Sequence, residues 1–104
     1  MTTFDKRKDA AEGKFAHDEE VGFKITARRN KLTGLWAAEK LGLSGDAAEA
    51  YAKEVVIADL QEVGDHDVVR KILADFKAKG VDQSEHQIRR TLDEMAAQAK
   101  KHFA

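Results

Sequence analysis

No proline occurs at any of the chain's 104 positions. Proline fixes φ, lacks an amide donor and breaks helix interiors, whereas turns and strand edges use it freely. A chain of this length with none is expected to be helices joined by short turns. Its seven glycines divide into two groups. Gly42, Gly45, Gly64 and Gly80 lie between segments of helical periodicity and read as helix stops or turns. Gly13, Gly22 and Gly34 lie inside such segments, where each costs about 1 kcal/mol relative to alanine.

Apolar spacing between the stops defines the helices. Toward the C-terminus, Ser84 is a good N-cap and Gln87 completes a capping box. Ile88, Leu92, Met95 and Ala99 then share one face, Phe103 follows, and Lys100, Lys101 and His102 suit the negative end of the helix dipole. The preceding segment starts at Asp65, carries the stripe Val69, Ile72, Leu73 and Phe76, and stops at Gly80. A further helix runs from about Ser44 to Val63, capped by Ser44 or Asp46. Tyr51, Val55 and Ala58 line one of its faces and Ala52, Val56 and Leu60 a neighbouring one, a sector wide enough to touch two partners. Upstream, residues 20–41 carry the anchors Leu32, Leu35, Trp36 and Leu41, with Trp36 expected in the core. The expectation is an all-α domain over residues 20–104, with helices near 20–41, 45–63, 66–79 and 85–102.

Residues 1–19 differ from the rest. Phe4 and Phe15 are their only large apolar side chains after Met1, set among Asp5, Lys6, Arg7, Lys8, Asp9, Glu12 and Lys14. A segment with so little area to bury does not hold a helix by itself, and Gly13 weakens it further. It is expected to be a protruding, largely disordered arm that becomes helical against a partner.

Several chemistries are excluded. There is no cysteine, hence no disulfide, thiolate zinc site or thiol nucleophile. His17, His66, His86 and His102 include no pair at helical metal spacing. Asp65-His66-Asp67 lacks the glycine and distal glutamate of a calcium loop and reads as a helix start. Neither common phosphate-loop motif occurs, so ATP or ADP has at most a weak, unspecified site at a helix N-terminus. A net charge of −1 gives no general reason to bind nucleic acid. Nothing resembles a membrane span or a secretory leader, so a cytoplasmic, soluble chain is expected. Lys24, Arg28, Arg29 and Lys31 form a basic run without acids between Val21 and Ala38. It is either a solvated face or a docking surface for an acidic partner. The pattern favours a binding or regulatory module over an enzyme. A helical module that senses a nucleotide and regulates a partner is the alternative.

As strings, FDKRKDAAEGKFAHDEE and ARRNKLTGLWAAEKLGLSGDAAEAYAKEVV resemble the zeta subunit of alphaproteobacterial F-type ATP synthases. The resemblance is densest over Phe4–Leu43 and Tyr51–Phe76, and Ala27–Glu39 is its most specific block. It implies a four-helix bundle with a protruding N-terminus, monomeric when free. It implies inhibition of ATP hydrolysis by the parent enzyme at the cytoplasmic face of the inner membrane. The arm would insert between the catalytic α and β subunits and the rotating γ subunit, with the bundle as anchor. Phe4, Asp5, Lys6, Arg7 and Lys8 fall on the family's inhibitory start, and Glu12, Lys14, Phe15, Ala16 and His17 continue it.

Overall fold

A computed structural model describes residues 20–60 and 64–103 with their side chains, and the backbone of the first helix from Thr3. Among the described residues there are four helices and no strand: α1 (Thr3–Lys40), α2 (Gly45–Asp59), α3 (His66–Lys79) and α4 (Glu85–His102). The all-α architecture is the expected one. Helix α1 packs against all three others, α2 against α3 and α3 against α4, while α2 and α4 do not meet. The helices therefore stand in cyclic order around one core.

Glycines set two of the turns. After α1, Gly42 takes the left-handed conformation with φ 79°. Its amide donates to Glu39 O at 3.1 Å and the Leu43 amide to Ala38 O at 2.8 Å. After α3, Gly80 (φ 71°) repeats the arrangement, with its amide on Lys77 O and the Val81 amide on Phe76 O. Both are Schellman closures, which satisfy the last carbonyls and favour glycine at the left-handed position. The residue after each glycine, Leu43 or Val81, folds back onto the core. At the start of α4 the capping box is present: Ser84 N donates to Gln87 Oε1 at 2.7 Å, and Gln87 N to Ser84 Oγ at 3.2 Å. Ser44 and Asp65 hold N-cap positions but make no side-chain capping bond.

Two boundaries differ from expectation. Helix α1 begins at Thr3, well before residue 20. The expectation of an arm over residues 1–19 lies outside the described side chains. Helix α2 ends at Asp59 instead of running to residue 63, and Leu60 is its C-cap. The Leu60 amide turns to Ile57 O at 3.0 Å, a 3₁₀-type bond that closes the last turn. Its side chain is consequently 65% exposed and not part of the buried sector that the spacing assigned to it.

The core collects Ala37, Ala38 and Leu41 from α1, Tyr51 and Val55 from α2, Val68, Val69, Ile72 and Phe76 from α3, and Ile88 and Leu92 from α4. Phe76 is fully buried at its centre. Trp36 is half-buried and packs edge-on against it, with ring centroids 5.7 Å apart. Burying a side chain of this size is worth about 1.5–3 kcal/mol. Gly34 explains how α1 and α2 come so close: a Cβ there would stand 2.8 Å from Ala52 Cα and 3.2 Å from Val55 Cβ. The glycine's helix-propensity cost is offset by this backbone approach.

Polar clasps tie the helices in pairs. Tyr51 of α2 donates its hydroxyl to Asp75 Oδ2 of α3 at 2.8 Å. Lys71 reaches the same oxygen at 3.2 Å and Glu54 Oε2 at 3.3 Å, with its ammonium 5.0 Å from the Tyr51 ring centroid. Burial above all, then the bond to Asp75 and the charges of Asp75 and Glu54, push the Tyr51 hydroxyl well above the ordinary tyrosine range, so it stays a donor. Between α3 and α4, Asp65 turns to Arg89 at 3.2 Å, and Arg89 also reaches Glu85 at 3.3 Å. Among the described residues, no buried side-chain polar atom lacks a partner.

Candidate functional site

The structure divides the basic run by role. Arg29 points inward. Its Nε and Nη2 donate to Asn30 Oδ1 at 3.0 and 2.8 Å, and Nη2 lies 3.5 Å from Asp59 Oδ1 on α2. Both charged side chains are largely covered, 20% and 13% exposed. Lys24 pairs with Glu20 one turn back at 3.1 Å, and Lys31 reaches Glu49 of α2 at 3.8 Å. Both of these pairs are exposed and worth at most about 1 kcal/mol each. Arg28 is half-buried and has no hydrogen bond or ion pair among the described residues. The acids that meet Arg29 and Lys31 come from α2, where a search for acids along the run itself does not look.

Beside Arg29 lies a feature the sequence reading missed. Phe23, Ala27, Asn30, Gly34, Ala37 and Leu41 recur at spacings of four and three, a stripe along one face of α1. From Asn30 onward every member of that stripe is buried. Toward the N-terminus the stripe outruns its cover, because α2 stops at Asp59. The result is a groove of about 250 Å³ lined by Gly22, Phe23, Thr26, Ala27 and Asn30 on one side and Val56, Asp59 and Leu60 on the other. Phe23 is 64% exposed and Leu60 65% exposed, and Ile57, a turn away on α2, is 57% exposed. These are the three large exposed hydrophobic side chains among the described residues. The signal that finds the groove is the stripe's length, greater than that of the helix facing it.

A second hollow, of about 440 Å³, lies next to the first and is lined by Thr26, Arg29, Asp59, Gly64 and Asp65. Its arginine is already engaged by Asp59. A phosphate placed there would meet two carboxylates, which disfavours it as the ATP or ADP site. Phe4, Asp5, Lys6, Arg7, Lys8, Glu12, Lys14, Phe15 and His17 lie outside the described side chains.

Fold and surface together define a small helical interaction module: a packed bundle whose first helix leads away from an open apolar groove. The comparisons with known proteins are specific. The family model of the ATPase inhibitor subunit zeta matches residues 1–102, and the chain belongs to that family. A protein with a solution NMR structure is 51% identical over 78% of this chain and 92% of its own, with a TM-score of 0.70. None of the curated proteins matches.

Proposed function

We propose that this chain is a regulatory inhibitor of ATP hydrolysis by an F-type ATP synthase, and that its N-terminal arm is the inhibitory element. The observation that carries this reading is the family match, which includes the arm as well as the bundle. The arm, residues 1–19, inserts at the interface of the α, β and γ subunits and obstructs rotation. Phe4 and Phe15 fill apolar pockets in that cleft, and Asp5, Lys6, Arg7, Lys8, Glu12, Lys14 and His17 fix its orientation through charge and hydrogen bonding. A steric block needs no catalytic group, so the chain acts as a ligand of the ATPase and not as an enzyme. Residues 20–104 are the anchoring bundle. In this setting the protein works at the cytoplasmic face of the inner membrane, held by the ATPase; among the described residues no helix is long and apolar enough to cross a membrane.

The burial pattern supports a division of labour. Along the described part of α1, no residue before Asn30 is fully buried. The described part of α1 thus enters the core only from Asn30, eleven residues past the end of the arm. Deleting residues 1–18 is expected to abolish inhibition of ATP hydrolysis while the thermal transition stays close to that of the full chain. A truncated chain that inhibits fully would sink the arm mechanism.

A further inference from the structure

We infer that Gly22 is a propagation brake in helix α1: it sets how far the helix extends from the bundle into the arm, and through that the affinity of the arm for the ATPase. The part that concerns affinity rests on the reading of the chain as an ATPase inhibitor. The part that concerns the helix is a property of the chain alone.

Three observations converge on this residue. The first is that nothing in the structure requires a glycine there. Gly22 lies inside α1, and the glycines at positive φ are Gly42, Gly45, Gly64 and Gly80. A Cβ at Gly22 would meet no atom within 4 Å, whereas at Gly34 it would stand 2.8 Å from Ala52 Cα. Gly22 therefore carries the helix penalty of glycine without a packing reason for it. The second is position. Glu20, Gly22, Phe23 and Lys24 are exposed, and the first buried residue of the described part of α1 is Asn30. At residue 22 the helix is held by its own backbone hydrogen bonds more than by its neighbours. On the N-terminal side, residues 1–19 offer only Phe4 and Phe15 as large apolar side chains after Met1. The third is the Glu20–Lys24 ion pair, which spans the glycine at 3.1 Å. Glutamate four residues before lysine is the favourable order on a helix. A weak link and a weak brace thus meet at one point, where the arm leaves the bundle.

A helix is costly to start and easier to extend. The folded bundle supplies the start, so the arm needs only propagation. Every conformer whose helix runs past residue 22 carries the glycine penalty. Helix α1, continuous from Thr3 to Lys40, is the fully extended end of that equilibrium. Binding that takes the arm as a helix selects the extended conformers, and the apparent affinity falls with their scarcity. Gly22 thereby keeps the inhibitor releasable without changing any side chain of the arm.

A graded series in the full chain tests this: Gly22→Ala, Gly22→Ser and Gly22→Pro. Helix propensity falls from alanine through serine and glycine to proline. Amide hydrogen exchange over residues 1–19 reads the helix. The half-inhibitory concentration on the soluble catalytic head of the ATPase reads the affinity. Gly22→Ala is expected to slow exchange in the arm and to lower the half-inhibitory concentration about two- to five-fold. Five-fold is the alanine–glycine difference of about 1 kcal/mol converted to a ratio. Gly22→Ser should fall between alanine and wild type, and Gly22→Pro should raise the value about ten-fold or more. A direct contact by the new side chain would give serine a larger effect than alanine, so the order separates the two causes. The packing of Trp36 on Phe76, followed by near-ultraviolet circular dichroism, should be the same in all four chains. Unchanged arm exchange in Gly22→Ala overturns the inference. So does slower exchange with an unchanged or higher half-inhibitory concentration, because Gly22 would then be a hinge that insertion needs. A wild-type chain that does not inhibit the head overturns the functional reading instead, and hydrogen exchange alone then decides whether Gly22 limits the helix.

Discussion

Helices α1 and α2 share one seam with two unlike ends. At Gly34 the backbones approach so closely that a single methyl group would collide with Ala52. At Phe23, on the same stripe, and Leu60, at the end of the facing α2, the helices leave a groove of about 250 Å³ and two large side chains face solvent. Apolar side chains do not separate the ends, since the open end also carries Phe23, Val56 and Leu60. The separation comes from where α2 stops and from which residue sits at the crossing. Stability is concentrated where small residues allow contact, and large apolar residues remain free where contact ends. An exposed apolar surface is an ordinary device for recognition and a poor one for stability.

Glycine substitutions test that contrast most strongly. Gly34→Ala places a Cβ 2.8 Å from Ala52 Cα, a backbone atom that cannot swing aside. Overpacking of this kind costs about 1–3 kcal/mol. The gain in helix propensity, about 1 kcal/mol, offsets only part of it. A lower denaturation midpoint in urea, with unchanged slope, is expected. Gly22→Ala, by contrast, meets nothing within 4 Å. There the propensity gain stands alone, and the midpoint should rise by an amount equivalent to about 0.5–1 kcal/mol. Shifts of the same sign for both variants would mean that the two ends of the seam are not distinct.

The closed end can be sharpened further through Tyr51. Tyr51→Phe removes the bond to Asp75 and should cost about 1 kcal/mol near neutral pH. Its pH dependence follows from the direction of the shift. The folded hydroxyl ionises at higher pH than the unfolded one, because burial and Asp75 oppose the phenolate. Its stabilisation is thus complete below the ordinary tyrosine value of about 10 and is lost as pH rises above it. Wild type and variant should differ clearly in urea stability at about pH 8 and converge by about pH 11. Because the lysines titrate in both proteins, the difference between them is the quantity to follow. A constant gap across that range would show that Tyr51 does not donate to Asp75.

Much of the fold was legible because it is local. The capping box at Ser84 and Gln87, the left-handed stops at Gly42 and Gly80, and the stripes of α3 and α4 each depend on residues within a few positions. What failed was tertiary. Gly34 read as a cost because the close approach of Ala52 is invisible along the chain. Leu60 read as buried because periodicity does not say where a facing helix ends. The basic run read as unneutralised because Glu49 and Asp59 belong to α2. Trp36, expected in the core, lies at its edge against Phe76. For the arm, the strings Phe4–Glu20 carried the family resemblance, and the match over residues 1–102 places the chain in that family.

The smallest effect on stability belongs at the open end. Phe23→Ser removes the largest exposed side chain of the groove, at a helix position 64% open to solvent. Serine and phenylalanine have similar intrinsic helix propensities, so the backbone term nearly cancels. Little burial is lost, because the ring's neighbours at Val56 and Leu60 are themselves half-buried or exposed. Substitutions of this class usually fall within about 0.5 kcal/mol of neutral. The thermal transition of Phe23→Ser should therefore overlay that of the wild-type chain, while dye binding to exposed apolar surface falls. A destabilisation above about 1 kcal/mol would show that Phe23 is packed in solution. The seam would then be closed at both ends, and nothing would distinguish the groove from the rest of the core.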